Sequence, residues 1–339
     1  MTTTLNVLVT AASRRVPLIR AFQRAIASAG VTGRVVVTDV NPLSPAVHVA
    51  DAAYAVPLST DSGYLDAVRR ICVRERIGLL VPTIDDELPV FAAAEEGFRQ
   101  DGILVAVSPL DTAEACNDKY ETCRRLRARG IAAAETFLPE QLPADPAFPL
   151  FIKPRFGRGS IGAHVVHVAR HLSFFLDLVP TPVVQTYLDG PEFTIDVFCG
   201  PDGTPLSAVP RERVVVRAGV IDRGRTVADT ALMALALDCA RVFRFFGPIN
   251  VQCRVVAGVP IVFEINPRFS GGIPLTIAAG ADFPAWLVAL ALGRDVPPAV
   301  GAFTDRLWMT NYEEGLFLGE DRLRVLSPSD AAPGVEPGR

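Results

Sequence analysis

The sequence predicts an α/β protein in which a doubly wound parallel sheet is followed by a small α+β unit and an antiparallel sheet. Three observations support this fold class. Short apolar runs alternate with amphipathic helical patterns over residues 1–112. A proline-rich connector, Leu138–Pro149, separates this region from shorter strand-like segments. Near the end, two extended runs flank a glycine-containing turn, which is typical of a β-hairpin.

Composition limits the classes of protein that fit. The chain has 339 residues, 50% of them hydrophobic, which is enough for two or three domains with sizeable cores. The net charge of −4 provides no strong field for nucleic acid or anionic membranes. Six scattered cysteines without a C-x-x-C pair indicate buried thiols in a reducing compartment. No apolar segment approaches the roughly 20 residues that span a bilayer, and the start lacks the basic segment of a signal peptide. We therefore expect a soluble cytoplasmic protein.

The first region alternates strands and helices. Its predicted strands are Leu5–Thr10, Val35–Thr38, Leu79–Pro82 and Ile103–Val107, and its predicted helices are Arg15–Ala29, Tyr64–Arg76 and Glu87–Arg99. The first strand leads into Ala11-Ala12-Ser13, which lacks the glycines that let a pyrophosphate approach the backbone. A dinucleotide-binding oxidoreductase is therefore disfavoured. The cluster Thr83–Glu87 lies at the sheet edge where ligands bind, or it only begins a helix.

The second region contains a glycine loop and two lysines. Gly157, Gly159 and Gly162 match G-x-G-x-x-G, but a strand follows them and not a helix. A glycine loop between two strands can close over polyphosphate with its backbone N–H groups. Lys119 and Lys153 provide point charges that suit phosphate oxygens, although either lysine alone would be a solvated surface charge.

Further strands and helices complete this prediction. The predicted strands are Val165–Val168, Pro182–Tyr187, Phe193–Cys199, Pro205–Val209 and Glu212–Val216, and the predicted helices are Tyr120–Arg129, Leu172–Leu178, Val227–Phe245 and Ile277–Leu292. The strand ending in Gln185-Thr186-Tyr187-Leu188 can offer an adenine ring an apolar slot and backbone hydrogen bonds. Glu192 follows it, where a carboxylate could accept from ribose hydroxyls.

The hairpin near residue 250 carries the candidate metal ligands. A three-residue turn containing Gly258 would pair position 256 with 260, and hence Gln252 with Glu264. Asn266 would lie on the same face, because strand side chains repeat with period two. One carboxylate and two amide carbonyls suit Mg²⁺, which prefers oxygen ligands. Taken alone, the hairpin is also explained as a surface element with a solvated Glu264.

Together these segments resemble the ATP-grasp superfamily over residues 5–295. The resemblance is nearest to the carbamoyl-phosphate synthase large chain, biotin carboxylase and the carboxylate–amine ligases. It implies an ATP-grasp fold: an N-terminal pre-ATP-grasp domain at 1–112, a linker helix and lid at 113–188, and a C-terminal subdomain at 189–326. Composition predicts a disordered tail at 327–339.

The resemblance also implies ligands for ATP and for Mg²⁺, with Mn²⁺ as an alternative metal. The implied nucleotide-binding residues are Lys119, Lys153, Gly157, Gly159, Ser160, Gly162, Gln185, Tyr187, Leu188 and Glu192, and the implied metal ligands are Gln252, Glu264 and Asn266. Glu264-Ile265-Asn266-Pro267-Arg268 fits the family pattern E-x-N-x-R. Gln185 and Gln252 each replace an acid that is commoner in the family. The neutral Gln252 leaves open whether one or two Mg²⁺ ions bind.

The implied reaction is the ATP-dependent ligation of a small carboxylate, such as an amino acid, to an amine or a thiol. The carboxylate attacks the γ-phosphate to give an acyl phosphate and ADP, and the nucleophile then displaces phosphate. Arg268, Lys153 and Arg217 are the candidate catalytic residues, the last because it ends an apolar strand beside Gly219. A homodimer is a family expectation. The alternative is a non-catalytic ATP-binding or sensing module with the same fold, against which the intact set of lysines and hairpin residues argues.

Overall fold

The computed structural model describes residues 3–217 and 219–324, so the predicted tail at 327–339 lies outside the described residues. The chain divides into two compact units. The first contains residues 3–110, 282–297 and the described residues from 312 onward. The second contains residues 111–281 and 298–311, so the predicted lid and C-terminal subdomain belong to one unit.

The elements are named in chain order. The strands are β1 Asn6–Val9, β2 Val35–Asp39, β3 Ala52–Ala55, β4 Ile77–Val81, β5 Leu104–Val105, β6 Thr136–Phe137, β7 Leu150–Pro154, β8 His164–Val166, β9 Pro182–Thr186, β10 Glu192–Cys199, β11 Pro205–Arg217, β12 Val220–Thr226, β13 Gly247–Val256, β14 Val259–Asn266 and β15 Trp308–Thr310. The helices are α1 Val16–Ser28, α2 Pro45–Val49, α3 Tyr64–Glu75, α4 Leu88–Gln100, α5 Leu110–Asn117, α6 Lys119–Ala128, α7 Leu172–Leu178, α8 Thr230–Val242, α9 Ile273–Ala278 and α10 Phe283–Ala291.

The first unit is built on a parallel sheet with strand order β3-β2-β1-β4-β5. The doubly wound parallel sheet predicted for this region is therefore confirmed. All but one residue in each of β1 and β4, and every residue of β2, are buried, as continuous apolar runs require in a sheet covered on both faces. The edge strand β3 was not predicted, because Ala-Ala-Tyr-Ala is half-buried and carries no strong apolar run.

The second unit contains two antiparallel sheets. The smaller has strand order β6-β9-β7-β8, and the larger has order β14-β13-β10-β11-β12-β15. Helices α6 and α8 pack on the larger sheet, and the core between them includes Leu126, Ile195, Leu232 and Val251. Strand pairing and core contacts therefore fix the backbone from which the predicted site residues project.

Several sequence predictions differ from the structure in how far the elements extend. Pro205–Val209 and Glu212–Val216 are one continuous strand, β11, since Pro210 pairs with Ile195 and does not end the ladder. The helix predicted at Val227–Phe245 is shorter, because Asp229 caps α8 by accepting from two backbone N–H groups. The helix predicted at Ile277–Leu292 is divided between α9 and α10, because Gly280 adopts a φ of 106° between them.

The turn between β13 and β14 has two residues and not three. Ala257 and Gly258 have φ values of 48° and 82°, and Val256 pairs with Val259. Gln252 still pairs with Glu264, because Phe263 is an extra residue that shifts the register of β14 by one. The predicted pair is therefore correct, although the predicted turn is wrong.

No helix among the described residues is long and apolar enough to cross a membrane.

Candidate functional site

Lys153 projects from β7 of the smaller sheet and reaches β14 of the larger one. Its Nζ donates to the carbonyl oxygen of Phe263 at 3.2 Å and lies 3.9 Å from Oε2 of Glu264. The side chain is 6% exposed, and burial lowers the pKa of Lys153 while Glu264 opposes that shift. The bulge at Phe263 thus presents both a carbonyl dipole and a carboxylate to a desolvated ammonium group.

Lys119 is the first residue of α6, where Asp118 caps the helix by accepting from two backbone N–H groups. The Nζ of Lys119 donates to the carbonyl oxygen of Gly157 at 2.6 Å. Arg155 donates to both oxygens of Asp118 at 2.6 and 2.9 Å. This capped helix start therefore places Lys119 against the glycine loop.

The glycine loop, residues 156–162, connects β7 and β8 and is exposed along most of its length. The predicted ligands Gly157, Gly159, Ser160 and Gly162 all have positive φ, with values of 101°, 71°, 57° and 71°. A positive φ strongly favours glycine, and three of these four residues are glycines. The tip of the loop approaches the β11–β12 turn, where a Cβ on Gly219 would lie 3.0 Å from the carbonyl carbon of Gly159.

The hairpin cluster consists of Asn250, Gln252, Glu264, Asn266 and Arg268. Asn250 Oδ1 accepts from the amides of Gln252 at 3.4 Å and Asn266 at 3.3 Å. Arg268 donates to Asn266 Oδ1 at 3.2 Å. The three predicted metal ligands thus lie on the adjoining strands β13 and β14, and the predicted substrate-binding arginine lies two residues beyond β14.

The donor set of the hairpin cluster fits Mg²⁺ that arrives with a polyphosphate. Among residues 3–217 and 219–324, no three His, Cys, Asp or Glu side chains form a metal-binding group. Glu264 is the carboxylate of the cluster, and Gln252, Asn250 and Asn266 contribute amide oxygens. Mg²⁺ is commonly held by one or two carboxylates together with substrate phosphates, and it keeps several waters. The residues therefore suit Mg²⁺ that is bound together with phosphate better than a metal ion held by protein side chains alone.

The segment predicted to bind adenine lies at the end of β9. Gln185 is buried, and its amide donates to Thr136 Oγ1 at 2.9 Å and to Cys123 Sγ at 3.4 Å. This side chain therefore ties β9 to β6 and α6. Tyr187 and Leu188 follow the strand and are half-buried. Because Gln185 is already paired, the backbone groups of Tyr187 and Leu188 are the candidates for hydrogen bonds with a base.

Glu192, the predicted ribose ligand, begins β10. One carboxylate oxygen lies 3.1 Å from Arg213 Nε, and the other accepts from Arg254 at 2.7 Å. The carboxylate therefore already lies between two guanidinium groups.

The arginines on β11 lie in three different environments. Arg211 is buried and pairs with Asp196 at 2.8 Å. The Arg213 side chain is 7% exposed and donates to Gln252 Oε1 at 3.4 Å and to the Gly219 carbonyl at 2.9 Å. Burial lowers the pKa of Arg213, while Glu192 opposes that shift. Arg217, the predicted catalytic arginine, is 66% exposed and lies 3.8 Å from Asp222.

Sequence reasoning missed two residues that contact the predicted set. Asn250 could have been found, because it precedes Gln252 by two positions and so shares its face of β13. Arg213 was one of several arginines in the same segment. Arg213 is buried and Arg217 is exposed, and no local sequence pattern predicts this difference.

Two family models match separate parts of the chain. The model described as ATP-grasp in the biosynthetic pathway with Ter operon matches residues 179–314. The model described as PylC-like, N-terminal domain matches residues 7–106. The first covers strands β10–β14, which carry the hairpin cluster, and the second covers the parallel sheet.

Curated relatives include carbamoyl phosphate synthase large chains. The arginine-specific large chain of Bacillus subtilis is 24% identical over 277 residues, which is 75% of this chain and 26% of the relative. The large chain of Thermomicrobium roseum is 24% identical over 299 residues, which is 80% of this chain and 27% of the relative. The chain thus spans about a quarter of the length of these relatives.

Solved structures share the fold. An L-amino acid ligase from Bacillus licheniformis has a TM-score of 0.67 and 19% identity, over 86% of this chain and 75% of that one. The N5-carboxyaminoimidazole synthetase of Staphylococcus aureus complexed with ADP has a TM-score of 0.68 and 15% identity, over 88% and 79% of the two chains. The biotin carboxylase of Campylobacter jejuni has a TM-score of 0.67 and 15% identity, over 86% and 72%.

Proposed function

The chain belongs to the ATP-grasp superfamily, and on that premise we propose that it is an ADP-forming ligase that joins a small carboxylate to an amine. The observation that supports this most strongly is the approach of Lys153 to Glu264, at 3.9 Å across two sheets. A lysine and a carboxylate on facing strands can act together on a polyphosphate and its metal ion. Lys119 contacts the glycine loop that follows β7, and Asn266 and Arg268 follow Glu264 along the chain.

In this proposal the two lysines bind the phosphates of ATP. Lys119 and Lys153 now donate to the carbonyl oxygens of Gly157 and Phe263. Both acceptors are neutral, so anionic phosphate oxygens would be stronger partners. The glycine loop would then close over the phosphates with its own N–H groups. Phosphoryl transfer needs mainly positioning and charge neutralisation, and these residues provide both.

Mg²⁺, when bound, would neutralise phosphate charge during transfer. Glu264 would hold it together with the amide oxygens of Asn266 and Gln252. The backbone at Tyr187 and Leu188 would receive the adenine ring, and Glu192 would accept from ribose hydroxyls. Because two arginines flank Glu192, its carboxylate is held in place.

Arg268 would hold the carboxylate substrate with its planar fork of donors. Its contacts with Asn266 Oδ1 and the Phe269 carbonyl, at 3.2 and 3.1 Å, fix the guanidinium just beyond the end of β14. A carboxylate oxygen placed there would attack the γ-phosphorus and give an acyl phosphate and ADP. The amine then attacks the acyl carbon and phosphate leaves. Arg217 stays the predicted residue that covers the substrate from the β11–β12 turn.

An ADP-release screen tests this function. Purified protein with ATP and Mg²⁺ is incubated with pools of amino acids or other small acids, with and without amines, and products are identified by mass spectrometry. We expect ADP only when an acid is present, and a condensed product when an amine is added. Oxygen-18 in the substrate carboxylate should appear in the released phosphate. ATP binding without ADP release in any pool would instead support a sensing module.

A further inference from the structure

The β11–β12 turn presents exposed apolar side chains next to the proposed carboxylate site. The exposed residues are Val214, Val215, Val216 and Val220. Val220 is 38% exposed, and its Cγ1 would lie 2.9 Å from a Cβ placed on Gly271. Gly271 follows Arg268, the proposed carboxylate ligand, by three residues. Apolar surface therefore adjoins the segment that we propose to hold the substrate.

Packing against two glycines fixes the start of β12 in this position. Val220 pairs with Arg217, and the next residue, Ile221, pairs with Val216. Ile221 is buried, and its Cγ2 would lie 2.6 Å from a Cβ placed on Gly272. Because neither glycine has a side chain, β12 packs directly on the backbone of the segment after Arg268. The exposed part of Val220 is therefore a surface that packing holds in place.

The charged residues of the same segment disfavour an acidic side chain on the substrate. Five arginines lie between positions 211 and 225, and each lies within 4.0 Å of a carboxylate. The pairs are Arg211–Asp196, Arg213–Glu192, Arg217–Asp222, Arg223–Asp222 and Arg225–Glu212. A second carboxylate on the substrate would have to compete with these acids. An apolar group would only displace water from the valines, which is favourable in proportion to the apolar area buried.

We propose that the valines of the β11–β12 turn, and Val220 in particular, receive the apolar side chain of the carboxylate substrate. This inference rests on the proposed function and specifies its substrate class, a small acid with an apolar side chain such as leucine or methionine. Arg268 binds the carboxylate of this acid, and the side chain extends from there toward Val220. A polar side chain of the same size would lose its hydrogen bonds to water against the valines without replacing them.

Paired acids of similar size test the substrate class. ADP release is measured at saturating ATP and Mg²⁺ with leucine against asparagine and with methionine against glutamine. We expect kcat/KM to be about tenfold higher, or more, for the apolar member of each pair. ADP release only with acids whose side chains are polar or charged would overturn the inference and leave the ligase function standing. ADP release with no acid at all would overturn the proposed function, and this inference with it.

A matched pair of variants tests the site. Val220→Thr keeps the shape of the side chain and replaces a methyl group with a hydroxyl. It should lower the preference for leucine over asparagine about tenfold and leave the KM for ATP within about twofold. Val259→Thr makes the same change at the β13–β14 turn, where the valine is 51% exposed, and should keep the wild-type preference. An unchanged preference in Val220→Thr would overturn the inference.

Discussion

Gln252 lies opposite Glu264 across the β13–β14 hairpin, and this pairing depends on the extra residue Phe263 in β14. The same bulge turns the Phe263 carbonyl toward Lys153. The bulge at Phe263 therefore has two effects. It aligns Gln252 with Glu264, and it brings the Phe263 carbonyl to the buried Lys153.

Replacing Glu264 tests the proposed metal site. Glu264→Gln removes the carboxylate of the hairpin cluster while keeping its size, so we expect ADP formation to fall by about 100-fold or more, on the scale of losing one preorganised transition-state contact. Glu212→Gln, which only removes an ion pair with Arg225, should change the rate less than twofold. Rates are measured by coupled ADP detection over a Mg²⁺ titration. An unchanged Mg²⁺ dependence in Glu264→Gln would exclude this residue as a ligand.

The contact between Gly219 and the glycine loop can be tested with a pair of glycine substitutions. Gly219 and Gly258 both have positive φ, 74° and 82°, but only a Cβ on Gly219 would crowd another segment, at 3.0 Å from Gly159. Both changes to alanine should cost about 1 to 2 kcal/mol of stability from backbone strain.

Only Gly219→Ala should also weaken binding of an ATP analogue, because it alone obstructs the approach of the loop. Urea denaturation and calorimetry measure the two effects separately. Equal analogue affinities in Gly219→Ala and Gly258→Ala would show that the contact has no part in nucleotide binding.

Glu87 gives the first unit a predicted dependence of stability on pH. The carboxyl is buried, accepts from Tyr64 and Thr10, and has a pKa raised by burial to about 7. The folded state therefore holds this proton at pH values where the unfolded chain, with a pKa near 4.5, has lost it. The stabilisation is present below about pH 4.5 and is lost as pH rises toward 7, by about 3 kcal/mol at 1.4 kcal/mol per pKa unit.

Glu87→Gln isolates this contribution, because it removes the titrating proton and keeps the side-chain volume. We expect the difference in unfolding free energy between wild type and Glu87→Gln to shift in favour of the variant as pH rises from 5 to 8. Chemical denaturation at the two pH values provides the measurement. A constant difference would show that the Glu87 proton is not linked to folding.

The buried pair Arg211–Asp196 is expected to dominate the stability of the larger sheet. Asp196 also accepts from Thr276, and Arg211 donates to Ser270 at 2.9 Å, so the pair holds the segment after Arg268. Arg211→Met leaves a buried carboxylate without its cation and should cost about 3 to 5 kcal/mol.

A surface pair and a double variant provide the comparison. Changing Arg241 of the exposed Arg241–Asp238 pair to Met should lower the free energy of unfolding by less than about 1 kcal/mol. Adding Asp196→Asn to Arg211→Met should recover part of the loss, because no charge then remains buried. If Arg211→Met lowers the free energy of unfolding as little as Arg241→Met does, the buried pair does not dominate the stability of the larger sheet.

Much of the fold and the residue types of the candidate site could be predicted from the sequence. The parallel sheet of the first unit follows from its alternating periodicities, which are local properties of the chain. Lys119, Lys153, Glu264 and Arg268 could be selected because they lie in short patterns with known spacing. The edge strand β3 and the single strand β11 could not be, because weak apolar patterns are decided by the strands they pair with.

The order of residues along the chain establishes which groups are available: two lysines, a glycine loop, and one carboxylate among amides. Packing in three dimensions buries Arg213 and not Arg217 against Gln252, and it brings both Arg254 and Arg213 into contact with Glu192. The reason is physical. Periodicity fixes the face on which a side chain lies, whereas burial and ion pairing depend on which distant strand packs against that face.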